Sequence, residues 1–227
     1  MKYDQNLNEG HRSRLKHKFL KSESGTLYDY EILELLLCYS IPRKDVKPLA
    51  KLLLHQFGNL GNLLSSPTSK LVQTPGIGES TIILLKSIKE ALLLANKEQI
   101  SKKPIFSSWQ KLIAYLRSNI GYDSIESMKA LFLNSKNLLL GEQLFSHGTV
   151  NKISVYPREI LKAALYHEAT AVILVHNHPS GFAQPSQPDI DTTIAIKDIL
   201  KTLEIELIDH VIISPNNEFS FKCNALI

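Results

Sequence analysis

Two histidines two residues apart, His176 and His178, stand at the end of an apolar run, Ala171–Val175, that has the length of a buried strand. Side chains alternate along a strand with period 2, so imidazoles at i and i+2 project to the same side and can reach one ion. The loop that follows carries Pro179, Ser180, Gly181, Pro185 and Ser186, residue types that fix a tight return of the chain. Asp189 closes the loop where a helical pattern begins, and its carboxylate can supply a third ligand. Two imidazoles and a carboxylate, with a fourth position left for water, make the ligand set of a catalytic zinc site rather than a structural one. Manganese or iron suits the same donors. The plainer alternative is a pair of surface or core histidines that hold no ion.

The pattern His176-x-His178, seven residues, Ser186, two residues, Asp189 resembles the JAMM motif of MPN-type metallopeptidases. The stretch HNHPSG, with GTV and PREILKAAL upstream and DHVIIS downstream, resembles the bacterial RadC family, and the likeness runs from about Leu15 to the C-terminus. That resemblance implies an MPN-like mixed sheet, zinc on His176, His178 and Asp189, and cleavage of an amide or isopeptide bond. It implies that Ser186 donates a hydrogen bond during catalysis; the same serine is also a natural N-cap for the helix at Asp189. It implies a general base from a glutamate just ahead of an earlier apolar strand, a place that Glu126 holds before Met128–Leu133. A solvated acid at a strand edge is the alternative for Glu126. Glu142, Glu159 and Glu168 are its rivals, with Glu159 also placed to pair with Arg158 or cap its helix. Lys129 stands where the family pattern calls for an apolar residue. Ligating histidines usually donate their second N–H to a partner, a role open to Asp209, His210 and Thr149. Asn177 and Ser180 are expected to stabilise the loop.

The elements that must position these groups follow from the rest of the chain. Its 227 residues, 44% apolar, allow one or two domains with a real core. No apolar run approaches the ~18 residues of a membrane span, and the polar start has no apolar segment like a signal peptide, so a cytoplasmic protein without membrane contact is expected. The two cysteines, Cys38 and Cys223, are too few for a cysteine-based zinc knuckle. The net charge of +4 lies entirely in residues 1–100, with 14 Lys/Arg against 10 Asp/Glu, whereas residues 101–227 carry 12 of each. That excess permits nucleic-acid contact without demanding it.

Residues 1–98 read as an all-helical domain. A basic stretch, His11–Leu20, precedes helices at Tyr28–Tyr39, up to Phe57, at Leu60–Leu64 and at Lys70–Gln73. In that basic stretch Arg12, Arg14, Lys16 and Lys18 meet phosphates or simply line a solvated face. Thr74-Pro75-Gly76-Ile77-Gly78 then leads into a long helix from Glu79 to about Lys97. A helix, a tight turn and a second helix resemble a helix-hairpin-helix module, in which the Gly76 and Gly78 turn offers backbone N–H groups to DNA phosphates without reading sequence. A purely structural turn is the equal alternative.

A polar stretch around residues 96–107 marks the boundary. Residues 105–227 then alternate strands with helices: a helix at Ser108–Asn119, a hairpin at Met128–Ser146, a strand at Ile153–Val155, a helix from Pro157, the Ala171–Val175 strand, a helix from Asp189 to Leu203, and closing strands at Ile205–Ser214 and Phe219–Lys222. The fold class expected is α/β of the α+β type. The function expected is a zinc-dependent hydrolase acting on an unknown peptide or protein substrate; the alternative is a DNA-repair or recombination protein with an accessory metal site.

Overall fold

In the computed structural model, which describes residues 4–101, 103–107, 109–147 and 155–227, the leucine-rich first part is helical throughout. The helices are α1 (Asp4–Lys21), α2 (Asp29–Ser40), α3 (Lys47–Phe57), α4 (Leu60–Ser65), α5 (Thr68–Val72) and α6 (Glu79–Ser101). Two compact units, Met1–Glu90 and Ala91–Ile227, divide the chain inside α6, a few residues before the polar stretch that marks the boundary in the sequence. In the first unit Leu33 and Leu37 of α2 meet Leu53, Leu63, Leu71 and Leu85 in a common core. The other side of α2 is also covered. Its largely buried Glu31 and Glu34 are met by Lys18 and His11 of α1, both at 2.6 Å. Arg12 donates to the carbonyls of Cys38, in the last turn of α2, and of Ile41 and Lys44 just beyond it. These basic residues of α1 therefore serve the helix packing itself.

The second unit is built on a five-stranded sheet in the order β2-β1-β3-β4-β5, from β1 (Ser127–Leu133), β2 (Leu139–His147), β3 (Ala171–Asn177), β4 (Glu206–Ile213) and β5 (Glu218–Ser220). β3 is central and wholly buried, which is why its sequence is apolar on both faces. It runs antiparallel to β1 and parallel to β4. On one face α7 (Trp109–Leu116) sets Leu112, Ile113 and Leu116 against Leu131, Ile173 and Val175. On the other, α8 (Pro157–Tyr166) and α9 (Gln187–Lys201) set Ile160, Ala164, Ile196 and Leu200 against Ala130, Phe132, Val172 and Leu174. The result is a mixed α/β sheet with helices on both sides.

Two details differ from the sequence expectation. The helix at Trp109 gives way to a single π-helical turn at Arg117–Gly121, which carries Asn119 to the Lys129 ammonium. α9 begins at Gln187, because Ser186 is its N-cap. The expected strand at Ile153–Val155 and the link at Gly148–Thr149, Thr149's supporting role included, lie outside the described residues except for Val155. No helix among the described residues is long and apolar enough to cross a membrane.

Candidate metal centre

Register between β1 and β3 explains how the site assembles. Met128 pairs with His176, and continuing this antiparallel register sets Ser127 opposite Asn177 and Glu126 opposite His178. Alternation then turns Glu126, His176 and His178 to one face of the sheet, the face that carries α8 and α9. One ligand atom from each of these three lies within 4.8 Å of the others, so the group can hold a metal ion. Glu126 Oε1 is 2.8 Å from His176 Nε2 and 3.6 Å from His178 Nε2.

Asp189 reaches the same place from the first turn of α9. Its carboxylate lies 3.3 Å from His176 Nδ1 and 3.7 Å from His178 Nε2. It is thus in contact with both imidazoles, although the tightest donor set contains Glu126 rather than Asp189. Burial acts to raise the Asp189 pKa, but the adjoining His176 and His178 rings and the hydrogen bonds from Ser186 outweigh it and hold the carboxyl well below the usual carboxylate range.

The two histidines are prepared differently. His178 Nδ1 is 2.9 Å from the carbonyl of Phe182, an acceptor only, so that nitrogen carries the proton and Nε2 keeps its lone pair for the interior of the site. Burial acts to lower the His178 pKa; the Asp189 carboxylate and the Phe182 carbonyl more than reverse this, and the net shift is upward. His176 is 2% exposed, and its Nδ1 has no hydrogen-bond partner. A buried, unpartnered ring nitrogen beside a carboxylate is costly in an all-protein site and is what a metal ligand requires.

Behind His176 lies His210 of β4, stacked on it with ring centroids 6.0 Å apart and backed in turn by Phe221 at 4.5 Å. Thr193 of α9 donates to the Asp189 carbonyl at 2.5 Å and meets His210 Nδ1 at 2.6 Å. The single Thr193 proton serves the carbonyl, so His210 Nδ1 supplies the other. Burial, with the neighbouring His176 and His178 and against the opposing charge of Asp189, pushes the His210 pKa down to about 3, and the ring stays neutral. Asp209 instead accepts from Ser220 Oγ at 2.6 Å and from the Lys222 amide at 3.0 Å, ordering the chain after β5.

Ser186 shows its capping role directly: its hydroxyl accepts from the Asp189 amide at 3.4 Å and donates to Asp189 Oδ2 at 2.6 Å. Ser180 lies in the loop, 3.5 Å from the Phe182 amide. Asn177, expected to brace the same loop, instead binds the chain around Glu126: its Oδ1 accepts from both the amide and the hydroxyl of Ser127 at 2.7 Å. Spacing in the sequence gives no sign of that partner, which is 50 residues away.

The rival acids stand apart from the histidines. Glu142 pairs in register with Leu131, which puts it on the α7 face, where it binds Tyr115, Lys97 and Lys129. Lys129, out of place in the family pattern, is accommodated there. Glu159 is 3.5 Å from Arg158 at the exposed start of α8, and Glu168 is exposed in the left-handed turn after that helix, with φ 51°.

Comparison with known proteins adds a family context. A model described as the RadC-like JAB domain matches residues 106–226. A UPF0758 protein of Ruegeria pomeroyi is 40% identical over 217 residues, 96% of this chain and 97% of its own length. A UPF0758 protein of Rhodobacter capsulatus is 40% identical over 213 residues, 94% of this chain and the whole of its own.

Proposed function

Because the chain belongs to the RadC family and carries its JAB domain, we propose that it is a cytoplasmic zinc-dependent hydrolase of the JAMM type, cleaving a peptide or isopeptide bond in a protein substrate. The observation that supports this best is the preparation of the two imidazoles. His178 Nε2 is turned inward by the Phe182 carbonyl, and His176 Nδ1 is buried without a partner beside Asp189. His176, His178 and Asp189 would hold the zinc, which supplies Lewis acidity and a bound water with its pKa lowered to near ~7. In this reading Glu126 takes a proton from the attacking water and returns it to the leaving amine. Ser186 turns its hydroxyl from Asp189 to the developing oxyanion. His210, neutral and stacked, keeps His176 in its plane.

Metal content of the purified protein tests the reading, beside a His176→Ala/His178→Ala variant. About one zinc per chain, lost in the variant, is expected. A wild type that neither carries nor takes up metal sinks it. With zinc retained, Glu126→Gln should abolish hydrolysis of peptide or isopeptide substrates.

A second reading concerns the first unit. We propose that the turn at Pro75–Gly78 contacts DNA phosphates. Gly76 holds φ +85° with Leu49 packed 3.0 Å from where a Cβ would stand, whereas nothing lies within 4 Å of that position at Gly78. An open backbone before a helix suits a phosphate. DNA affinity that falls with salt and drops about tenfold in Gly78→Asp supports this; affinity untouched by that change rejects it.

A further inference from the structure

Asn177 separates the two histidines but takes neither of their roles. Strand alternation turns it to the opposite face, where it is fully buried. An unsatisfied amide there would be costly, and a valine or isoleucine would fill the strand equally well. The amide is instead used to capacity. Oδ1 accepts from Ser127 N and Ser127 Oγ, and Nδ2 donates to the carbonyls of Ile125 at 3.0 Å and Asp123 at 3.3 Å.

These partners bracket Glu126. That glutamate precedes β1, in a stretch with no helix or strand of its own. Its side chain reaches the two imidazoles. The backbone on both sides of it is therefore tied to the same strand that carries the histidines, through one side chain.

We infer that Asn177 is the positioning residue for Glu126: it locks the Asp123–Ser127 segment so that the carboxylate is held over the imidazoles of His176 and His178. The tripeptide His176-Asn177-His178 thus presents imidazoles on one face and fixes their carboxylate neighbour from the other. The inference rests on Glu126 serving this site as proposed above.

Two variants of the full chain test it. Asn177→Leu keeps the branching of the side chain and removes all four bonds; Ser127→Ala removes one and leaves the core intact. Amide hydrogen exchange of residues 124–127 and the ring nitrogen resonances of His176 and His178 are compared with wild type and Glu126→Gln. In Asn177→Leu, exchange in the segment should accelerate about tenfold. The His176 resonance should move to its Glu126→Gln position, with no further change in the double variant. Ser127→Ala should move both in the same direction by less. A folded Asn177→Leu with wild-type His176 resonances overturns the inference. Should Asn177→Leu fail to fold, unchanged exchange and resonances in Ser127→Ala overturn it. None of these readouts requires a bound metal, so a metal-free wild type would reject the hydrolase reading while the clamp is judged separately.

Discussion

The Phe182 carbonyl receives the Nδ1 proton of His178 at 2.9 Å, and through that bond the course of the Pro179–Pro185 loop sets the direction of the opposite ring nitrogen. Gly181 precedes that carbonyl with φ +90°, a left-handed conformation closed to β-branched residues. Gly181→Val should displace the carbonyl and weaken metal binding about tenfold, the scale typical of a lost ligand-orienting bond. Phe182→Ala, which keeps the backbone, should leave affinity near wild type. Competition with a metal indicator measures both.

Ser186 offers a separation of structure from chemistry. Removing its cap from α9 with Ser186→Ala should cost about 1 kcal/mol of stability. Ser186→Asn restores a cap but places no hydroxyl beside Asp189. Equal loss of hydrolysis in both variants, with stability recovered only in the second, fits a catalytic hydroxyl; activity that follows the melting temperature assigns Ser186 to capping alone.

A source of acid sensitivity also lies on the face away from the histidines. Burial acts to raise the Glu142 pKa, but Lys97 and Tyr115 through hydrogen bonds, and Lys129 through its charge, leave it below the ordinary value. A carboxyl depressed in the folded state stabilises the protein above its unfolded pKa, about 4.3, and that contribution disappears as pH falls through the folded value. Glu142→Gln should lower stability by about 1–3 kcal/mol near neutrality. The difference from wild type should close below about pH 4. Melting temperature as a function of pH reads this directly, and a constant difference across the range would count against the assignment.

Gly141 marks a close approach. A Cβ there would stand 2.5 Å from the His167 ring, which is stacked on Phe132 at 4.7 Å and flanked by Tyr166 at 5.2 Å. Gly141→Ala should therefore destabilise by about 1–3 kcal/mol. Adding His167→Ala should recover part of the clash term, which a double-mutant cycle in denaturant measures.

Much of this arrangement was legible in the sequence. The apolar run at Ala171–Val175 announced a central strand, and the interval between His176 and His178 announced a shared face, because both follow from periodicity within one segment. The helices of the first part followed from the spacing of their leucines. Contacts that depend on register between distant segments were not legible. Asn177 reaches Ser127, and Lys129 reaches Glu142, only because β1 lies between β2 and β3. The π-helical turn at Arg117–Gly121 has no periodic signature, since five residues are too few to show one. The basic residues of α1 read as a phosphate-binding or a solvated face, because their partners on and just after α2 are 13 to 32 residues away in the chain.

The two-sidedness of β3 bears on how such a chain can change over generations. Replacing a residue alters one face of the strand and leaves the other as it was. Inserting or deleting a single residue between Ala171 and His176 exchanges the faces, sending the amide into the site and both imidazoles toward Ser127. Substitutions can be tried one at a time, whereas a change of length removes ligands and clamp in the same step. Lineages that keep the site are therefore free to vary the apolar residues of this strand but not to vary how many there are.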